Sequence, residues 1–531
     1  MGRVIVRPSD PLKALIDTRM VRTFLDEREV GFIRWARRNG TTWTEIATAL
    51  GTTRQGAWDR WHELDGEVFG SEWTSDRGNI MAEVRLDRPE PNAGQSHPTG
   101  SDIQAKKVWR REVGLAHQVV ERRRARMPGE SPFFNVKDAP FNAVGDGTAD
   151  DAGAIRNAIE AAAPLTKDAS GKDVYVNPSG STVYFPAGNY LVKSSLTVPD
   201  GVILQGVGWN TPGYNDPCLG SWIFVASDAD FSPVAISGSS GSVRDLAFNV
   251  VDQVVMGPPA NCKPMIYVTG ANALIENVFL YNPYFGISVY ETARTVIRRV
   301  FGQPLQCGIR IDYSFDTNYI DAIHFWSYWA TSSKKNPVTA AWTYQRENAT
   351  AIALFRCDNP HISNVFASNY KTGLSLAVSQ WGNPHKVHLL NADFDDCMTG
   401  IHIACPLPDG SKSDQVAIQM SNVTVQAPTG ASEGSYGLWI EEGPTSTIVQ
   451  ASNVRFTDSG ANAVLVEAEN VSFYGENVCI ESWGAKSVGF LIKPTNSEAY
   501  LGLGCSYFPL SAPQPYSPFG QFWIPTRANP T

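Results

Sequence analysis

From Val243 onward one pattern recurs: a small residue followed by an apolar–variable–apolar triplet. It is written as Gly286-Ile-Ser-Val, Gly308-Ile-Arg-Ile, Ala351-Ile-Ala-Leu, Gly373-Leu-Ser-Leu, Gly400-Ile-His-Ile, Gly437-Leu-Trp-Ile, Ala463-Val-Leu-Val and Gly489-Phe-Leu-Ile. Successive small residues lie 22, 43, 22, 27, 37, 26 and 26 positions apart. A basal unit of about 22 residues with loop insertions accounts for these spacings, as expected of a solenoid whose units bury their apolar faces against each other. A second element, a polar residue (mostly Asn) ahead of alternating strand residues, starts at Asp245, Asn277, Arg299, Ala322, Asn364, Asn391, Asn422, Asn453 and Asn470. These asparagines are expected to stack at one turn and to satisfy backbone groups in a bend, a structural role.

Alternation along a strand sends the triplet's flanking residues inward, and its middle residue and the one after it outward. The outward set then includes Arg310 and Asp312, His402, Trp439 and Glu441, and Glu467. Hydrolysis of a glycoside needs two carboxyls, about 5 Å apart for retention and about 6.5–9.5 Å for inversion. Two candidate catalytic pairs follow: Glu441 with Glu467 on adjacent rungs beside Trp439, and Asp393 with Asp396 in Asn391-Ala-Asp-Phe-Asp-Asp-Cys397. In the second pair mutual repulsion would raise one pKa. A lyase would instead need a base and a neutraliser for a uronate carboxylate, for which Arg310 and His402 are available, with Asp312 the next candidate. His385 and His388 have no third ligand in sight, so no metal and no cofactor is expected. The largest insertion brings nine aromatics between Tyr313 and Tyr344, with Trp326 and Trp329 as candidate sugar platforms. Packing beneath the loop or between subunits is the equal alternative.

Ahead of the repeat lies Phe133–Gly208, an extended segment, a turn at Gly145-Asp-Gly147, a helix with apolar stripe Ala154, Ile155, Ala158 and Ile159, and then short strands. Thr148, Asp150 or Asp151 is placed to cap that helix. The turn lacks the Gly-Lys-Ser/Thr ending of a phosphate loop. One helix before many strands suggests a cap over an open end that would otherwise expose an apolar core and unpaired edges.

Ala143-Val-Gly-Asp-Gly-Thr-Ala-Asp-Asp151, Ala154-Ile-Arg-Asn-Ala-Ile159, Val183-Tyr-Phe-Pro-Ala-Gly-Asn-Tyr190 and Gly201-Val-Ile-Leu-Gln-Gly206 resemble the opening segment of pectate-lyase-superfamily right-handed β-helices. This subgroup is common in bacteriophage tailspikes and capsule depolymerases. The resemblance implies a mainly β chain folded as a right-handed parallel β-helix with an N-terminal capping helix. It also implies a homotrimer, a bacterial surface polysaccharide as partner, and a place in the virion or outside the cell by a route without a signal peptide. Asp395-Asp396-Cys397 resembles the Asp-Asp-Cys of polygalacturonases, but their Asn-Thr-Asp and Gly-His-Gly are missing.

Residues 1–65 read as a small α-helical adaptor. Thr42–Gly51 and Thr53–Trp61 are similar to a helix-turn-helix, whose second helix would present Arg54, Gln55 and Arg60 to a DNA major groove. The alternative is a three-helix module that attaches to a phage tail or baseplate protein. Residues 66–130 read as a linker and a neck helix, 131–210 as the cap segment, 211–505 as the β-helix and 506–531 as an end cap. Residues 1–130 hold 22 Lys+Arg against 19 Asp+Glu, leaving 22 against 34 for the rest. That acidic body argues against nucleic acid as its ligand. Met1–Asp17 has no long apolar run, no segment is suited to membrane insertion, and the eight cysteines fall at irregular spacings with no CxxC pair. The reading is a tailspike-like glycan-binding protein that depolymerises its ligand; a non-catalytic receptor-binding tail protein and a DNA-associated protein are its alternatives.

Overall fold

The computed structural model describes residues 33, 37, 42–49, 133–163, 165–167, 173–175, 181–213, 216–254, 257–331, 339–407, 409–428, 434–481, 489–502 and 504–508. The chain divides into two compact units, Met1–Arg122 and Arg123–Thr531. In the first unit a helix spans Trp43–Ala49. A capping box opens it: the Thr42 amide donates to Glu45 Oε2 at 2.8 Å, and the Glu45 amide donates to Thr42 Oγ1 at 3.3 Å. The expected second helix 53–61, the linker, the neck helix and the end cap from 509 on lie outside the described residues.

The second unit is a right-handed parallel β-helix. Its strands form an 18-stranded sheet and an 11-stranded sheet, and every pairing between their named strands is parallel. The larger sheet turns a corner within each long strand. Glu276 pairs with Arg298 and Val278 with Val300, while Asn277 between them is left out of the register. At that corner Asp245, Asn277, Arg299, Ala322, Asn364, Asn391, Asn422, Asn453 and Asn477 all take left-handed φ values of 52–55°. Each rung therefore has three faces: one before this bend, one after it, and the 11-stranded sheet.

The bend asparagines do stack, but they bond to one another rather than to the backbone. Asn391 donates to Asn364 at 3.2 Å, Asn422 to Asn391 at 3.1 Å, Asn453 to Asn422 at 3.2 Å and Asn477 to Asn453 at 2.7 Å. Asn477, not Asn470, is the last of this row. Asn470 sits at a different corner, where it donates to Thr445 O at 3.2 Å and accepts from Asn496 at 3.1 Å.

The small residues of the repeat form one column. Cys307 pairs with Thr350 and Ile309 with Ile352, which sets Gly308 beside Ala351; the same step carries the column to Gly373, Gly400 and Gly437. Volume explains the choice of residue. A Cβ on Gly308 would meet Phe325 Cε2 at 2.3 Å, on Gly373 Phe394 Cδ1 at 2.4 Å, and on Gly437 Phe456 Cδ1 at 2.4 Å. Phe325, Ala367 and Phe394 are successive members of one inward column, so the rung with Ala in place of Gly (Ala351) is also the rung with Ala in place of Phe (Ala367). Stacked Ile, Val and Leu fill the rest of the core, with Cys357, Cys397 and Cys405 among them. Burial pushes the thiol pKa of Cys397 and Cys405 up to about 12.

Ala152–Ala162 is the capping helix, with Ala152, Ile155, Ala158, Ile159 and Ala162 buried and Ala154 half-buried. It packs on the first strands, Phe133–Asn135, Ser181–Tyr184 and Leu196–Val198. Asp151 occupies the N-cap, but its carboxylate accepts from the Val144 and Gly145 amides at 2.6 and 2.9 Å. The Ala152 amide is met instead by Asp150 Oδ1 at 3.1 Å. The cap is thus tied to the turn at Gly145.

The Gly–Phe complementarity yields an expectation of strength and sign. Gly373→Ala should cost about 1–3 kcal/mol by overpacking against Phe394. Gly373→Ala placed in a Phe394→Leu background should cost measurably less, because the clash with the ring is relieved and only the Gly400 carbonyl, at 2.7 Å, remains. Denaturant unfolding of the four members of this cycle checks it; equal costs in both backgrounds would contradict the packing account.

Candidate functional site

The outer side of the 11-stranded sheet gathers most of the candidates. His402 lies in Thr399–Ala404, Trp439 in Tyr436–Ile440, and the two are register partners. Their rings stack at 4.6 Å, and Tyr436 closes on Trp439 at 4.9 Å. Glu441 follows Trp439's strand; its amide donates to Ile403 O at 2.9 Å, which brings its carboxylate back over the preceding rung. There Glu441 Oε2 lies 3.3 Å from His402 Nε2. One rung on, Glu467 accepts from Trp439 Nε1 at 2.8 Å and from Lys493 Nζ at 2.5 Å.

These contacts divide the two glutamates. The Lys493 ammonium and then the Trp439 indole hold the Glu467 carboxyl below the usual range, so it stays ionised. Glu441 faces a histidine instead. Burial lowers the His402 pKa below 6.5, Glu441 pulls it back up, and Lys371 lowers it again. At neutral pH His402 is therefore an uncharged imidazole on a rigid strand, a group suited to take a proton.

Arg310 and Asp312 occupy the same two columns three rungs earlier, about 14 Å away at ~4.8 Å per rung. The Arg310 guanidinium covers the Phe355 ring at 4.5 Å and donates to Asp312 Oδ2 at 3.2 Å. Asp312 is not the open outward carboxylate expected of it. It is 3% exposed, and its other oxygen accepts from Ser379 at 2.7 Å. Leu465, expected outward, is buried as well.

Asp393 and Asp396 belong elsewhere. Asp393 is exposed on the face after the bend, in the column Phe366–Asp393–Thr424–Arg455, and Asp396 takes a left-handed φ of 52° at the strand's end. The raised carboxyl here is Asp395, through burial first and its neighbour Asp396 second. Trp329 is no platform either. Only 3% exposed, it packs with Trp222, Phe279, Tyr281 and Leu305 beneath the insertion, while Trp326 remains exposed against Tyr328 at 5.4 Å. Among the described residues no group of three His, Cys, Asp or Glu side chains is arranged to hold a metal ion.

One exposed tryptophan lies outside what sequence reasoning picked out. Trp381, 42% exposed, stacks on Tyr313 at 4.2 Å and donates to Tyr290 OH at 3.0 Å. It projects from a tight turn in which Ser379 and Gly382 exchange backbone hydrogen bonds. The available signal was a lone Trp-Gly in a polar turn, outside any strand alternation.

The model of the family described as "Rhamnogalacturonase A/epimerase, pectate lyase-like" matches residues 133–405. Mannuronan C5-epimerases AlgE3 and AlgE4 of Azotobacter vinelandii are each 42% identical over 86 and 82 residues, 15% and 14% of this chain. The chain spans only 4% and 12% of the length of these two relatives. Among solved structures, the AlgE4 A-module of Azotobacter vinelandii aligns at TM-score 0.47 and 17% identity, covering 71% of this chain and 95% of that one. The Dettilon tailspike protein aligns at 0.41 and 14%, covering 71% and 68%.

The dyad's electrostatics can be read directly. In ring-resolved NMR titration His402 should titrate below pH 6.5, and Glu441→Gln should move its midpoint further down, since the carboxylate is what raises it. A folded pKa below the unfolded one makes His402's share of stability fully present above pH 6.5 and lost as the pH falls through the depressed value. An upward shift on Glu441→Gln would overturn the pairing.

Proposed function

The chain belongs to the rhamnogalacturonase A/epimerase, pectate lyase-like family, and on that footing we propose that it binds and processes an acidic bacterial surface polysaccharide on the outer face of its 11-stranded sheet. The observation that carries this reading is the His402–Glu441 contact at 3.3 Å, made by a half-buried imidazole whose charged form is disfavoured. A neutral imidazole with the Lys371 ammonium near it suits removal of the acidic proton beside a uronate carboxylate. In the roles proposed, the Glu441 carboxylate 3.3 Å from Nε2 favours the ring hydrogen on that nitrogen, which leaves the other to take the proton. Lys371 and Arg310 offset carboxylate charge along the chain, and Trp439 backs the imidazole. If the C–O bond to the neighbouring sugar then breaks, the electron pair left by the proton becomes the double bond of an unsaturated product, and the departing oxygen keeps the C–O pair and takes a proton from water. Hydrolysis by Glu441 with Glu467 is the second reading, in which Glu467, held ionised by Lys493, would be the base or nucleophile and Glu441 the acid.

The tailspike resemblance extends the proposal to a virion component, a homotrimer, with residues 1–130 joining a tail protein. The DNA-associated alternative differs in a simple observable, duplex binding that weakens steeply with salt.

A screen on bacterial surface polysaccharides and polyuronates, scoring unsaturated products and new reducing ends separately, tests the reaction. His402→Ala should lower the rate by about 10²-fold or more, and Glu441→Gln by less. Asp393→Asn should leave it unchanged. Wild-type rates in His402→Ala, or reducing ends without unsaturation, would sink the elimination reading.

A further inference from the structure

The face before the bend carries a feature that the site above does not use. Along it Tyr319, His361 and His388 are successive register partners, continued by Gln419 and Gln450 and closed by Tyr474 and Tyr500. This straight row spans seven rungs, about 29 Å at ~4.8 Å each. It floors an open groove of about 1070 Å³.

The neighbouring column marks where the groove begins and ends. Arg244, Glu276, Arg298 and Asp321 are consecutive, with Glu276 bridging the two arginines at 3.9 and 2.6 Å, as a solvated outer face would be. Asp321 is then capped by Ser363 and Asn364 at 2.6 and 2.7 Å. Beyond it the column loses charge for four rungs (Ser363, Leu390, Ser421, Ser452) until Glu476. Over that uncharged stretch and just beyond it, Leu390, Tyr474 and Tyr500 are exposed. Leu390 stands exposed where its own column elsewhere carries ion pairs, and Tyr474 and Tyr500 stand exposed in the row beside it; together they mark a surface made to be covered.

We propose that this groove is a second glycan site, for a linear, uncharged polysaccharide lying along the helix axis. Three observations select that occupant. Among the described residues lining it there is no lysine or arginine to meet a uronate or phosphate chain, in contrast to the face bearing Arg310, Lys371 and Lys493. Tyr474 stacks on Tyr500 at 5.2 Å and 8°, and His361 on His388 at 4.5 Å and 15°, so the rings lie across the axis and turn their phenol and imidazole edges outward. Between the two stacks Gln419 and Gln450 add exposed amides, each with two donors and an acceptor. Hydroxyl-bearing units repeating along a line answer such a row at every rung. A second protein copy would have to match each amide with a fixed partner or leave it buried unsatisfied.

The test uses the full chain and a panel of neutral hexasaccharides (cellohexaose, maltohexaose, isomaltohexaose, mannohexaose), with hexagalacturonate as the acidic comparison. Calorimetry should detect at least one neutral hexasaccharide. Tyr474→Ala and, separately, Gln450→Ala should each weaken it about tenfold while leaving hexagalacturonate binding unchanged. Both side chains are exposed, and circular dichroism confirms that each variant is folded. Failure of all four neutral probes overturns the proposal, as does binding insensitive to both variants. So does light scattering in which Tyr474→Ala lowers the oligomeric mass, which would make the face a contact between copies.

Discussion

A single backbone torsion, repeated, governs this molecule. At one position in each of nine rungs the chain enters left-handed φ, a region that costs most L-residues roughly 1–2 kcal/mol and that Asn tolerates best. The bend splits a long strand into two faces and sets two consecutive side chains outward, so it decides which residues meet solvent on either side. The asparagine amides then bond from rung to rung, which ties the register of each turn to the next. A shift by one residue would break that row and turn the core column outward together. The Gly–Phe complementarity across the core acts in the same direction, since each rung's small residue is matched to the bulk facing it.

Register of this kind also builds the site. His402, Glu441, Glu467 and Lys493 come from four stretches of sequence, yet they stand on consecutive rungs of one rigid sheet. Rigid strands hold such a set of side chains in place better than loops can. The adjacent carboxylates have different partners: Lys493 holds Glu467 as an anion, while Glu441 faces His402.

What was legible in the sequence was whatever repeats. The rung triplets, the inward and outward positions and the bend asparagines follow from period, because each rung meets the same environment. Period alone does not separate Asn470 from the bend row, because two corners of a rung both take a polar residue ahead of a strand. The insertions were not legible in the same way. Trp329 folds under its own loop and Trp381 stands on a turn, and no period says which way a loop folds back. Asp312 points outward in register yet is closed over by Ser379, 67 residues on, a contact invisible to alternation.

The buried thiols give this solenoid an unplanned property. Cys262, Cys307, Cys357, Cys397 and Cys405 are spaced along the core, none is in a disulfide, and each is held in its protonated form by burial. Alkylating reagents attack the thiolate, so these residues are silent while their rungs stay closed. A solenoid opens locally, rung by rung, rather than all at once. The pattern of which cysteine becomes modified, and when, is therefore a built-in record of where the helix frays first.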